Sequence, residues 1–158
     1  SEKMGGRAAQ LAKKVALYSP WQFIFWYDRP YASPSKVGGA GAAESKIQQD
    51  PITDFYCSIP TVWDETRFIA GKMGDYAVVA RRFAKDWYIS VLNAGEQKDI
   101  ELDLSSFVFV DHCQATLYYQ SSEKKKADIA VKSYKKLDSR LNLKVLKNSG
   151  CVLHITAK

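Results

Sequence analysis

The feature that most constrains the fold of this chain is an alternation of apolar and polar residues with a period of two. It is clearest in DYAVVARRF (75–83), DWYISVLN (86–93) and DIELDL (99–104), and it recurs in QATLYYQ, ADIAVKSY, RLNLKVL and CVLHITA. Such alternation predicts half-buried strands, and the short link Ala84-Lys85-Asp86 predicts a hairpin between the first two. Seven or so short strands without crossover helices between them predict a mainly β protein, an antiparallel β-sandwich of the Greek-key type.

Three short helices are predicted ahead of these strands. The first is indicated by small and apolar residues at helical spacing: Ala8, Leu11, Ala12, Val15, Ala16 and Tyr18. Ser19 followed by Pro20 has the pattern of an N-cap and first helical position, which predicts a second helix through WQFIFWYD. Asp50 and Pro51 repeat that pattern and predict a third helix that ends before Pro60.

The helical start of the chain is unusually rich in large apolar side chains. The segment from Trp21 to Tyr27 carries too many aromatic groups for a surface helix. We therefore expect this end to pack against a partner that the rest of the chain does not supply. The following segment, Pro30 to Ser45, is rich in Pro, Gly, Ala and Ser and is predicted to be a flexible connection. The predicted organisation is a helical segment 1–29, a linker 30–49, a short helix 50–60 and a sandwich 61–158.

Charge and cysteine content exclude several functions. The net charge is +6, and lysines concentrate in the last third of the chain: Lys124, Lys125, Lys126, Lys132, Lys135, Lys136, Lys144 and Lys147. Several alternate with apolar residues, which favours a solvated strand face over a nucleic-acid site. Cys57, Cys113 and Cys151 lack metal-ligand spacing and are predicted to be buried as small apolar groups. The longest apolar run, FIFWY, is too short to span a membrane.

The motif PTVWDETR at 60–67 places two adjacent carboxylates, Asp64 and Glu65, beside Trp63. Glycoside hydrolysis needs two carboxyl groups that converge on one bond. Neighbouring side chains diverge on a strand and on a helix, so a structural role is favoured. We expect Asp64 to accept backbone hydrogen bonds at the turn after the third helix. Glu65 is expected to pair with Arg67, Arg81 or Arg82.

Two long segments resemble a known family. They are RAAQLAKKVALYSPWQFIFWYDRP and FYCSIPTVWDETRFIAGKMGDYAVVARRFAKDWYISVLNAGEQKDIELDL, in which YSP, PTVWDETR, the GDY-V-ARR pattern and DWY-I are the most specific parts. Together they resemble the C-terminal end of family 97 glycoside hydrolases. The resemblance implies an enzyme with an N-terminal β-sandwich, a catalytic eightfold β/α barrel that holds calcium, and a C-terminal β-sandwich. Residues 1–29 would then be the last barrel helices.

The resemblance also implies where chemistry does not lie. In that family the catalytic and calcium-binding residues precede the matched segment, so no catalytic, cofactor or metal residue is assigned in this chain. The parent enzyme would act on α-glucosides or α-galactosides. Its members are usually exported to the periplasm of a bacterium, which is the predicted location.

Two functions are considered for the chain itself. The favoured one is structural: the sandwich covers the barrel and contributes a subunit contact, with self-association through the N-terminal helices. The predicted interface residues are Trp21, Phe25, Trp26, Trp63, Asp64 and Glu65. The alternative is a carbohydrate-binding module in which exposed aromatic rings stack on sugars. Its candidates are Trp87, Tyr118, Tyr119 and Tyr134, for which positions in the core are favoured.

Overall fold

The computed structural model describes residues 5–17, 19, 51–107, 113–124 and 129–157. These ranges contain two helices and eight strands. In chain order they are α1 (Gly6–Ala16), α2 (Pro51–Ser58), β1 (Glu65–Lys72), β2 (Tyr76–Phe83), β3 (Asp86–Asn93), β4 (Lys98–Asp103), β5 (Cys113–Tyr119), β6 (Ala130–Tyr134), β7 (Arg140–Val145) and β8 (Ser149–Ala157). The second predicted helix and the predicted linker fall outside the described residues.

The strands form two antiparallel sheets, which confirms the predicted β-sandwich. Six strands lie in the order β1-β2-β3-β8-β5-β6, and β4 pairs with β7 in a separate two-stranded sheet. The central pair of the large sheet joins β3 to β8, with Ile89 opposite Leu153. The predicted hairpin links β2 to β3 through Ala84 and Lys85, where Ala84 adopts a φ of 52°.

The sandwich core lies between the two sheets. Alternate residues of the large sheet, among them Trp87, Ile89 and Leu153, are buried against Leu102 and Leu143 of the small sheet. Because side chains of a strand alternate between its faces, the intervening residues point to the opposite face of the large sheet. In most two-layer folds such a face is polar, but here part of it is apolar.

The helices cover that second face, which we call the outer face. Leu11, Ala12 and Val15 of α1 form a second buried cluster with Tyr88 of β3 and Val152 of β8. The expectation that the helical start lacks a partner within the chain was therefore wrong for α1. The apolar face of α1 is buried against Tyr88 and Val152 of the large sheet. These two side chains point away from the sandwich core, because their neighbours along each strand point into it.

Strand β1 was not predicted. It covers the second half of the PTVWDETR motif and pairs with β2, but the register shifts between Phe68 and Ala70. Such a bulge interrupts the period-two pattern, since one extra residue changes the face to which the following side chains point. An exposed Phe68 and a glycine at position 71 weaken the pattern further.

Candidate domain and subunit interface

The two adjacent carboxylates are held at the corner where β1 meets the β2–β3 turn. Asp64 Oδ2 accepts a hydrogen bond of 2.7 Å from the Ala84 amide and lies 3.7 Å from Arg82 Nη1. Glu65 pairs with both Arg67 (2.6 Å) and Arg82 (3.1 Å). These two hydrogen bonds hold the pKa of the Glu65 carboxyl below its usual value. Glu65 thus pairs with two of the three arginines that the motif predicts, whereas the amide bound by Asp64 belongs to the β2–β3 turn and not, as expected, to the turn after the helix.

Trp63, the indole of the motif, lies beside the helices on the outer face. Its ring packs edge-on against Tyr88, with centroids 5.3 Å apart, and contributes to the cluster that includes Leu11 and Phe55. The guanidinium carbon of Arg81 lies 5.8 Å from its ring centre. Trp63 therefore joins the strands to the helical segment. Trp21, Phe25 and Trp26, the other aromatic interface candidates, lie outside the described residues.

Two buried polar side chains hold α1 on the outer face. Ser90 Oγ donates a 2.7 Å hydrogen bond to the carbonyl of Ala12, in the middle of the helix. Arg81, which is 4% exposed, donates to the carbonyl of Ala16 at 2.9 Å and to Thr66 Oγ1 at 3.0 Å. A cation at a helix C-terminus is favourable because the last carbonyls of a helix carry partial negative charge. Arg81 therefore links the end of α1 to both β2 and β1.

A glycine allows α1 to approach β8 closely. A Cβ atom at Gly150 would lie 2.7 Å from the Val91 carbonyl oxygen, 2.8 Å from Ala12 Cβ and 3.3 Å from Ala9 Cα. Only a residue without a side chain fits between the helix and the sheet at this point. No motif in the sequence predicts that Arg81, Ser90 and Gly150 hold a helix against the sheet. Ser90 offered a signal, because it is a polar side chain between apolar residues of β3, whereas Arg81 lies beside Arg82 in β2 and does not stand out.

The second helix docks through an aromatic cluster. Phe55 of α2 stacks on Tyr118 of β5, with ring centroids 3.9 Å apart and planes inclined by 6°. Tyr88 stacks on His154 of the neighbouring strand at 4.3 Å, and Phe55 lies 5.4 Å from the same imidazole. Burial under these rings lowers the pKa of His154, although its Nε2 lies 3.0 Å from the Asp86 carboxylate. Burial also raises the pKa of Tyr88 to about 12.

The four sugar-stacking candidates have different surroundings. Trp87 is 3% exposed and packs edge-on against Phe107 inside the sandwich, so its ring is inaccessible. One face of Tyr118 is occupied by Phe55, as described above. Tyr119 and Tyr134 are half-buried against the sandwich core. These positions do not bring the rings together into an exposed platform.

Other site classes find no support in the described part of the chain. Cys113 and Cys151 are buried, as predicted, whereas Cys57 is exposed, which corrects the expectation for that residue. Cys57 lies on the solvent side of α2, because the face that docks carries Phe55 and Ile59. Among the described residues no group of three or more His, Cys, Asp or Glu side chains is placed to hold a metal ion. Neither described helix is long and apolar enough to cross a membrane.

These features define a class of protein: an antiparallel β-sandwich that holds a preceding helix against its larger sheet. The family model described as "Glycosyl-hydrolase 97 C-terminal, oligomerisation" matches residues 62–156. This match covers more than half of the chain, and the chain belongs to that family. The resemblance inferred from the motifs is thereby confirmed.

Two curated relatives agree with this assignment. A retaining alpha-galactosidase of Bacteroides thetaiotaomicron is 31% identical over 154 residues, which are 96% of this chain and 21% of the relative. A probable retaining alpha-galactosidase of Streptomyces bingchenggensis is 35% identical over 65 residues, 41% of this chain and 10% of the relative. The chain thus spans about a fifth of the first relative's length.

Solved structures show the same fold. A beta-arabinopyranosidase is 28% identical with a TM-score of 0.69, over 95% of this chain and 21% of that one. A glycoside hydrolase family 97 enzyme of Pseudoalteromonas sp. strain K8 is 22% identical with a TM-score of 0.73, over 98% and 23% of the two chains.

Proposed function

We propose that this chain is the C-terminal β-sandwich of a family 97 α-glycosidase, that it performs no hydrolysis itself, and that it covers the catalytic barrel and joins subunits. The observation that carries the proposal is the docking of α1 on the outer face by Ser90 and Arg81. A helix buried against the sandwich in this way ties the sandwich to whatever precedes it in the parent protein.

The lack of an independent acid and base at the corner supports the non-catalytic part of the proposal. Asp64 and Glu65 both face Arg82, and Glu65 also binds Arg67. The hydrogen bonds from Arg67 and Arg82 lower the pKa of the Glu65 carboxyl, which favours its ionised form over the protonated form that a general acid needs. The catalytic residues of the parent, its calcium and the barrel itself then belong to the portion outside this chain.

The retaining alpha-galactosidase relatives favour α-galactosides as the substrates of the parent enzyme, ahead of α-glucosides. Their bacterial origin supports a bacterial parent, for which we propose export to the periplasm. The carbohydrate-binding alternative has no comparable support, since Trp87 is buried and Tyr118 is stacked on Phe55.

Activity and assembly measurements test the proposal together. The 158-residue chain should not release nitrophenol from p-nitrophenyl α-galactoside or α-glucoside, with or without added calcium, whereas the full gene product should cleave one of them. Analytical ultracentrifugation of the chain should show a concentration-dependent oligomer. Hydrolysis by the chain would overturn the non-catalytic assignment. A chain that stays monomeric at several hundred micromolar would overturn the subunit-joining role.

A further inference from the structure

Two large apolar side chains are exposed at the edge of the large sheet that β1 forms. Phe68 of β1 is 69% exposed, and Met73, in the turn between β1 and β2, is fully exposed. They border a surface cleft of about 490 Å³ whose lining also includes Ala77, Leu92 and Gly71. We call this set the edge patch. Single exposed apolar residues are ordinary, but adjacent ones beside an apolar cleft are typical of an interaction site.

The Phe68 ring lies against its own strand. A Cβ atom at Gly71 would come within 2.7 Å of Phe68 Cζ and 2.9 Å of the Tyr76 carbonyl oxygen. The ring therefore rests on the glycine backbone, and any larger residue at position 71 would displace it. A ring held in this way loses little conformational entropy on binding, because it is already ordered before a partner arrives.

The edge patch lies beyond the part of the sheet that α1 covers. Phe68 pairs with Val79, and Gly71 pairs with Ala77. This register places Phe68 and the Gly71 position on the outer face of the sheet. Helix α1 packs mainly on β3 and β8, the strands at the centre of the sheet. The patch is thus on the same face as the helices but at the free edge of the sheet.

Strand addition at this edge is disfavoured. The bulge between Phe68 and Ala70 interrupts the row of backbone donors and acceptors along β1, and Lys72 places a charge at its end. Both devices protect edge strands against pairing with another strand. A partner must therefore bind the side chains of the patch rather than extend the sheet.

We infer that the edge patch binds the edge patch of a second copy of this chain, related by a two-fold axis. This inference rests on the proposed subunit-joining function. The segment whose family is described as an oligomerisation domain, residues 62–156, contains every residue of the patch. An isologous contact needs only one self-complementary surface, and here each copy offers an exposed Phe68 and Met73 next to an apolar cleft.

The size of the patch sets the strength of the contact. Two phenylalanine and two methionine side chains remove on the order of 600 Å² from water, since large apolar side chains bury ~150 Å² or more each. Stable interfaces bury at least about 1,200 Å². The patch supplies about half of that area, so it forms the centre of the interface, with polar residues such as Lys72 and Asp75 around it.

Sedimentation of substituted chains tests this contact. The double substitution Phe68→Ser and Met73→Ser should weaken dimerisation by at least about tenfold, with an unchanged circular dichroism spectrum because both side chains are exposed. The matched control is Val131→Ser, since Val131 is 48% exposed on β6 at the opposite edge of the same sheet. The control should dimerise like the unsubstituted chain.

The outcomes separate the two proposals. If the double variant dimerises as strongly as the unsubstituted chain, the edge patch is not the interface, while the subunit-joining role stands. If the unsubstituted chain stays monomeric throughout, both fail. Equal weakening by Val131→Ser would also overturn the inference, because the effect would then not be specific to this edge.

Crosslinking gives a readout that does not disturb the patch. In a Cys57→Ser background, a cysteine in place of Lys72 lies at the rim of the patch, and a cysteine in place of Ser133 lies on the exposed opposite edge. A short bismaleimide should convert Lys72→Cys to a covalent dimer and leave Ser133→Cys monomeric. The reverse pattern would contradict the inference.

Discussion

Substituting Gly150 by alanine tests whether α1 belongs to the sandwich. The added Cβ would lie 2.8 Å from Ala12 Cβ and 2.7 Å from the Val91 carbonyl oxygen. Carbon atoms in good contact are ~3.5 Å apart, so the helix must move outward by roughly 0.7 Å. Neither obstructing atom can rotate away, because one belongs to the backbone and the other is attached directly to it.

That displacement loosens the whole face of α1. A gap of ~0.5–1 Å forfeits between a quarter and a half of the dispersion attraction at each contact. Overpacking of this kind typically costs about 1–3 kcal/mol. For a chain of this length, each kcal/mol lowers the midpoint of thermal unfolding by about 2–4 °C. Urea unfolding followed by circular dichroism measures the loss, and amide hydrogen exchange across residues 6–16 localises it to α1.

Two further variants make the experiment decisive. Gly74→Ala also replaces a glycine, but nothing lies within 4 Å of its Cβ, so its cost comes only from a φ of 75° and α1 exchange should stay unchanged. Ala12→Gly removes one obstructing atom, so the double variant with Gly150→Ala should be less destabilised than the sum of the single changes. If Gly150→Ala changes stability by less than about 0.5 kcal/mol and leaves α1 exchange unaltered, the docking of α1 described above is refuted.

Two further predictions concern titration and thiol reactivity. Burial lowers the pKa of His154 below its ordinary value of 6.5, so the unfolded chain binds a proton first. The stability that comes from burying the neutral imidazole is fully present above pH 6.5 and is lost as the pH falls towards the pKa of His154 in the folded chain. Urea unfolding between about pH 8 and about pH 5 should therefore show declining stability, and His154→Gln should flatten the decline; greater stability on acidification would contradict it. With Ellman's reagent, only Cys57 should react quickly in the native chain, because Cys113 and Cys151 are buried and burial raises the pKa of Cys151 to about 12. A rapid reaction that persists in Cys57→Ser would show that one of the buried thiols is accessible.

Local pattern was sufficient to predict most of the fold. Strands β4, β5 and β7 were predicted because one of their faces is buried in the core, and that burial imposes an alternation visible in sequence. The pairing of Glu65 with Arg67 and Arg82 was predictable because these residues are near one another along the chain or on neighbouring strands. Opposite charges close together in sequence, or on adjacent strands of a hairpin, meet without help from the rest of the fold.

Strand β1 could not be predicted in this way, because its bulge at Ile69 and its exposed Phe68 break the alternation. The sequence therefore determined by itself the antiparallel sandwich, the amphipathic character of α1 and the pairing of Glu65 with nearby arginines. Only the tertiary structure decided what α1 packs against and which polar groups hold it. Ser90 lies 78 residues from Ala12, and Arg81 lies 65 residues from Ala16. Contacts over such separations leave no periodic trace, because they depend on which face of which strand the folded sheet brings beneath the helix.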